Sequence, residues 1–201
     1  MITNPTIQED TCYTRKSDRS IVYQDAVGTE YAYGLTFALW YDLTRYNGTV
    51  DFRPSDDMTR EEAARLLSEF ARNVLCRKPH MVYNASFIDI DDADATLMPY
   101  IKDAYELGIF KGHKGLFRPF DKITHQEFAS AVMRLLTNTI DIEATNDWWK
   151  SYKDIAASLG IFTEKDRTTN AYVRKSAIDS LYRSYRNYDY TMEEVGYVLS
   201  Y

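Results

Sequence analysis

Phe52-Arg53-Pro54-Ser55-Asp56-Asp57-Met58-Thr59-Arg60-Glu61-Glu62 returns 65 residues later as Phe117-Arg118-Pro119-Phe120-Asp121-Lys122-Ile123-Thr124-His125-Gln126-Glu127. A tripeptide and a Thr-x-x-Glu repeated at one internal spacing mark an internal repeat, and a repeat decides architecture before any other feature. The likeness runs on downstream: Ala63, Leu66, Leu67 and Phe70 fall opposite Phe128, Ala131, Val132 and Leu135. An apolar stripe at i, i+3, i+4, i+7 is the buried face of a helix.

Working outward, Tyr23-Gln24-Asp25-Ala26 stands 64 residues before Phe87-Ile88-Asp89-Ile90. A third, worn copy follows. Asp141 precedes Gly160 by 19 residues, as Asp89 precedes Gly108, and Leu107-Gly108-Ile109-Phe110 is matched by Leu159-Gly160-Ile161-Phe162. Tyr172-Val173-Arg174-Lys175-Ser176 then stands where Ile123-Thr124-His125-Gln126-Glu127 stood. Arg134 and Arg183 agree with that pairing, whereas the stripe Ile178, Leu181, Tyr182, Tyr185 fits better with a shift of one, so the register of the third copy stays open by one residue.

Thr59 with Glu62, and Thr124 with Glu127, have the spacing of a capping box, in which hydroxyl and carboxylate each satisfy an amide that the first helical turn leaves unpaired. In the second copy a first helix is expected over about 96–107, stopped by Gly108 in a left-handed C-terminal cap. A loop Lys111-Gly112-His113-Lys114-Gly115 follows, and a second helix opens at Thr124. The chain thus divides into an arm or cover (1–22), three units (23–78, 79–138 with its linker, 139–186) and a Tyr-rich tail (187–201). Units of about fifty residues are too small to be stable alone and should pack as one body.

A net charge of −6 and pI near 5.1 argue against nucleic acid or anionic membrane as bulk partners. No run of 18 apolar residues is present, and the segment after Met1 lacks the basic and apolar regions of a secretion signal. The expectation is a soluble chain, cytoplasmic or already trimmed of its signal, with no membrane insertion. Cys12 and Cys76 fit no metal-ligand spacing; one disulfide in a secreted protein and two separate thiols are both open. Asp89, Asp91, Asp92 and Asp94 suggest calcium, but Asp94 stands where a calcium loop needs Gly and Tyr100 where it needs Glu, so solvated helix-end charge is the better reading. His80, His113 and His125 are scattered, and no nucleophile, phosphate-loop or dinucleotide motif is present. No enzyme activity, cofactor or metal is expected.

Capping does not account for Arg60. The first turn of a helix is electropositive, and a cation there is unfavourable by roughly 0.3–1 kcal/mol. An exposed ion pair with Asp56 or Asp57 would explain it at little energy. His125 and Arg174 occupy the equivalent positions, however, and recurrence where helix physics objects points to function. A guanidinium beside unpaired helix amides makes a receptor for a carboxylate; His125 would serve more weakly and with pH dependence.

Taken together, Tyr23-Gln24-Asp25-Ala26 with Tyr31-Ala32, Phe87-Ile88-Asp89-Ile90, Gly108-Ile109, the two Phe-Arg-Pro tripeptides, Met58-Thr59-Arg60-Glu61-Glu62 and Ile123-Thr124-His125-Gln126-Glu127 resemble the S-layer homology domain, a bacterial cell-surface module that usually occurs in three tandem copies. In the third copy Asp141, Trp148, Gly160-Ile161 and Val173-Arg174-Lys175-Ser176 remain. The resemblance implies an all-α fold of three helical hairpins in a pseudo-threefold arrangement around a central three-helix bundle. It also implies a non-catalytic anchor, extracellular on the bacterial surface, that binds anionic cell-wall polysaccharide, often pyruvylated, in grooves between copies. By that likeness Arg60, His125 and Arg174 take the basic binding position, Tyr31 and Trp148 the aromatic one, and Asp25, Asp89 and Asp141 the opening acid. The alternative is a structural surface protein that self-associates, or binds a protein partner, through its arm and tail.

Overall fold

The computed structural model describes residues 12–19, 23–44, 51–79, 87–137, 154–163 and 171–187. These residues form helices α1 (Ala32–Trp40), α2 (Arg60–Asn73), α3 (Met98–Glu106), α4 (His125–Thr137), α5 (154–158) and α6 (Arg174–Arg186). Among the described residues there are isolated bridges but no strands.

The expected starts and stops hold locally. At α2 the Glu62 amide donates to Thr59 Oγ1 (3.3 Å) and the Thr59 amide to Glu62 Oε2 (3.0 Å). At α4 the Glu127 amide donates to Thr124 Oγ1 (3.2 Å) and the Thr124 amide to Glu127 Oε2 (3.0 Å). Such caps are worth about 1 kcal/mol each. The stripe Ala63, Leu66, Leu67, Phe70 on α2 and its counterpart Phe128, Ala131, Val132, Leu135 on α4 are buried in one core. Helix α3 starts two residues later than expected, with Pro99 in its first turn, and Gly108 follows it at φ 71°.

Three short segments preceding α2, α4 and α6 close a circuit. The Met58 amide donates to the Tyr172 carbonyl (3.1 Å), the Tyr172 amide to that of Ile123 (2.8 Å), and the Ile123 amide to that of Met58 (2.9 Å). The antiparallel bridges Asp57–Val173, Thr59–Lys122 and Thr124–Ala171 repeat the circuit. Tyr172 therefore occupies the place in the circuit that Met58 and Ile123 occupy, and Arg60, His125 and Arg174 each stand two residues beyond it. The helices are exchanged between segments, α3 packing on α2 and α1 on α6, while α2 also meets α4.

Beyond α1, α3 and α5 the chain turns alike. The amides of Leu43, Ile109 and Ile161 donate back to the carbonyls of Ala38, Ala104 and Ala156 (2.8, 2.9 and 2.9 Å). The left-handed residue in these turns is Gly108 and Gly160 in the later two but Asp42, at φ 53°, in the first. A short polar residue tolerates that conformation when its side chain is anchored, and the Asp42 carboxylate accepts from the Tyr13 hydroxyl (2.6 Å), the Lys16 ammonium and the Arg19 guanidinium. Burial opposes that negative charge, yet these three donors together hold the pKa down to about 2.

Residues 12–19 thus form a strap across the end of α1, and the Lys16 amide donates to the Trp40 carbonyl (3.0 Å). The strap is pinned at its start by a disulfide between Cys12 and Cys76, with Cα atoms 5.5 Å apart. The cysteines are paired, and in the chain-entropy account a loop of that length contributes about 4 kcal/mol. Residues 1–11 of the arm and the tail beyond 187 lie outside the described residues.

Candidate functional site

Asp25 and Asp89 hold the repeated tripeptide. Asp25 accepts from the Phe52 and Arg53 amides (2.9 and 2.8 Å), and Asp89 from the Phe117 and Arg118 amides (2.8 and 2.7 Å). Arg53 and Arg118 sit at φ 57° and 62°, a left-handed conformation that costs an L-residue roughly 1–2 kcal/mol and so needs a clamp. Both oxygens of each acid are spent on the backbone. Asp89 is consequently not the solvated helix-end charge expected of the acidic cluster, while Asp91, Asp92 and Asp94 are exposed.

The clamped loop faces the next helix. The Arg60 and Glu61 amides donate to the Asp121 and Pro119 carbonyls (2.9 and 3.1 Å), and the Arg174 and Lys175 amides to those of Asp56 and Pro54 (3.1 and 3.0 Å). This corrects the expectation of unpaired helix amides beside the guanidiniums: backbone carbonyls already take them. An anion receptor here has to be built from side chains.

Around Arg60 those side chains converge. Arg60 is 4% exposed, donates from Nε to the Phe117 carbonyl (2.8 Å) and pairs with Glu127 Oε1 (2.8 Å). Its guanidinium lies over the Phe110 and Phe117 rings at 5.1 and 5.2 Å, within the range of cation–π attraction. The alternative pairing with Asp56 or Asp57 is not adopted; Asp56 faces Arg53 and Asp57 faces Lys122. Arg118 reaches the same Glu127 oxygen at 2.6 Å, so one carboxylate bridges two guanidiniums. Burial lowers the pKa of Arg60 from its usual value. For Glu127 burial favours protonation, but Arg60, the Thr124 amide and Arg118 outweigh it and hold its pKa below the usual carboxylate range.

A cleft of about 430 Å³ opens over this group, lined by Arg60, Phe110, Lys111, Gly112, His113, Leu116, Arg118, Glu127 and Arg134. Four cationic residues (Arg60, Lys111, Arg118 and Arg134) and one carboxylate line it, in a chain whose overall charge is −6. The loop that forms its lip closes through reciprocal hydrogen bonds between the His113 and Leu116 backbones (2.9 and 3.0 Å). Gly112 is required in that lip: at φ 69°, a Cβ would lie 2.4 Å from the Phe87 ring and 2.7 Å from the Leu116 carbonyl oxygen.

The other expected residues are distributed as follows. Arg174 is 8% exposed and pairs with Glu62 of α2, beside a narrower pocket of about 80 Å³ lined mainly by Leu43, Phe52, Met58, Leu66, Leu97 and Ile178. His125 is 3% exposed and its ring meets the Phe162 and Tyr172 rings at 5.2 and 5.3 Å. Tyr31 is buried, packs on Phe52 and donates to the Asp25 carbonyl (2.6 Å). Trp148 and Asp141 lie outside the described residues. Lys111, His113, Arg118 and Arg134 were not foreseen as site residues; the signal for Arg118 was its place in the repeated tripeptide. Among the described residues no group of His, Cys, Asp and Glu is arranged to hold a metal ion, and no helix is long and apolar enough to cross a membrane.

The stretch from the clamp Asp89 through α3, Gly108 and Phe117-Arg118-Pro119 into α4 is one continuous unit, and it is here that likeness to known proteins falls. Residues 86–129 match the S-layer homology domain. That domain is a non-catalytic module of cell-wall binding and surface anchoring. The chain is also 29% identical over 125 residues to exoglucanase XynX of Acetivibrio thermocellus, a stretch covering 56% of this chain and 11% of that protein. It therefore spans about a tenth of the length of the curated relative it matches. The S-layer homology match contains Asp89, Phe110, Lys111, Arg118 and Glu127, that is, the clamp and much of the cleft wall.

Proposed function

We propose that this chain holds a protein on the bacterial cell surface by binding acidic wall polysaccharide, with the Arg60–Arg118 cleft as its main site. The S-layer homology match supports the coarse reading of cell-wall anchoring. The finer reading rests on one observation, a cleft of about 430 Å³ lined by four cationic residues and a single carboxylate that Arg60 and Arg118 already share. A volume of that order takes a small sugar unit, and a planar guanidinium fork suits a carboxylate substituent such as a pyruvate ketal. Arg118 is the group to engage ligand first, because its side chain is 43% exposed whereas that of Arg60 is 5% exposed.

In this reading the chain is three S-layer homology units in a pseudo-threefold arrangement, supported by the circuit of Met58, Ile123 and Tyr172. Arg174 beside Glu62 is the second, narrower site. Asp25, Asp89 and Tyr31 shape the loops and helix starts. The bonded cysteines agree with an extracellular location, where disulfides persist. Self-association through the arm and tail rests mostly on residues outside those described.

Co-sedimentation with isolated wall sacculi tests the proposal. The wild-type protein is expected to pellet with sacculi at low salt, and Arg118→Ala combined with Lys111→Ala to stay in the supernatant while remaining folded. Undiminished pelleting of the folded double variant would count against the cleft. Pelleting unaffected by acid removal of ketals would count against pyruvate as the recognised group.

A further inference from the structure

Glu127 divides its two oxygens between two tasks. Oε2 accepts from the Thr124 amide and the Thr124 hydroxyl, both at 3.0 Å, and so belongs to the cap of α4. Oε1 accepts from Nη1 of Arg60 at 2.8 Å and from Nη2 of Arg118 at 2.6 Å.

The two guanidiniums on Oε1 are held differently. Arg60 also donates to the Phe117 carbonyl and lies over the Phe110 and Phe117 rings, nearly out of solvent. Arg118 has its amide fixed by Asp89, but its fork is split between two acids: Nη2 goes to Glu127, and Nη1 lies 3.4 Å from Asp121 Oδ2. The Asp121 side chain is 55% exposed, so that second contact is weak. A carboxylate that takes both nitrogens of one guanidinium makes the stronger, bidentate pair. Arg118 is therefore placed to trade two single contacts for one paired contact. Arg60 is not, because a buried cation that loses its carboxylate is destabilised far more than an exposed one.

We infer that Glu127 sets the selectivity of the cleft as a built-in competitor: its Oε1 holds Arg118 as an incoming carboxylate would, and an acidic sugar binds by taking Arg118 from it while Arg60 stays. That the anion is part of a wall sugar rests on the proposed function. A neutral sugar brings nothing to replace the internal carboxylate and is refused. An acidic one is admitted, at an affinity that Glu127 holds down. One side chain thus starts a helix with one oxygen and tunes the cleft with the other.

Calorimetric titration with D-glucuronate at pH 7 and low salt, with D-glucose as the neutral control, tests the exchange. A capping box accepts Gln as well as Glu, so Glu127→Gln removes the competing charge and keeps the cap; it is expected to bind glucuronate about tenfold more tightly than the wild type. Asp121→Asn, at an exposed position, is expected to gain about twofold. An acid that only supported the fold would give the reverse. Unchanged or weaker binding by folded Glu127→Gln overturns the inference, as does glucose binding that matches glucuronate. Independently of that variant, saturating the wild-type protein with glucuronate should shift the Arg118 Nε–Hε resonance and leave that of Arg60 in place, and the opposite pattern also overturns it. No response to glucuronate in any variant overturns the exchange, and sacculus pelleting still decides the anchoring reading.

Discussion

The Arg60 and Arg174 junctions share a backbone and an ion pair and differ in the walls around them. Both begin with a helix whose first amides donate to a Phe-Arg-Pro loop, and both set a guanidinium on the capping carboxylate of a neighbouring helix. At the first, a second arginine shares the carboxylate and the cleft is wide and cationic; at the second, Leu43, Met58 and Leu97 crowd the opening. The exposure of the acids runs the other way, 19% for Glu127, which two arginines cover, and 29% for Glu62. A repeated frame therefore supplies positions, and the wall residues around it determine whether a position becomes a site.

Removing the acids should separate the junctions most sharply. Glu127→Ala leaves Arg60 buried without its carboxylate, with an expected loss of about 3–4 kcal/mol in urea unfolding. Glu62→Ala, at a more exposed pair, should cost less, about 2 kcal/mol. Equal losses would mean that the two pairs are buried alike.

The clamps come next. Asp89→Ala removes two backbone hydrogen bonds and the restraint on a left-handed Arg118, and about 2 kcal/mol should be lost. Wall binding should fall with it, because Arg118 is re-aimed. Asp25→Ala should show a similar thermodynamic loss with a smaller effect on binding, since the loop it holds borders the narrower pocket.

Acid titration gives a smaller signal of known sign. The folded-state pKa of Glu127 is depressed, so its contribution is complete above the unfolded value, about 4.3, and is lost as pH falls through the lower folded value. The Tm gap between wild type and Glu127→Gln should be constant at neutral pH and narrow below about pH 4. A gap that widens in acid would contradict the assigned sign. The smallest stability effect belongs to Arg118→Ala, expected within about 1 kcal/mol of wild type because the group is substantially exposed, although its loss of sacculus binding should be clear.

Local chemistry was readable from residue order. Thr59, Glu62, Thr124 and Glu127 announce helix starts because a capping box involves only residues three apart, and Gly108 announces a stop because few other residues adopt its conformation cheaply. Asp42 escaped notice at the equivalent turn: an acid becomes acceptable there only through Tyr13, Lys16 and Arg19, more than twenty residues away in the chain. The cysteine pairing, and the choice of Glu127 over the nearby Asp56 and Asp57 as the partner of Arg60, also depended on separations that a linear reading does not order.

By itself the amino-acid order determined the repeated motif, the capped starts of α2 and α4, the stop at Gly108 and the position at which a cation recurs, because each follows from periodicity or contacts within one turn. Tertiary structure alone decided which carboxylate meets which cation, that the helix amides are spent on the neighbouring loop, and that one recurring position opens on a cationic cleft while another is packed among aromatic rings. Those outcomes depend on which segments close the circuit and what fills the space beside it, and neither is encoded at short range.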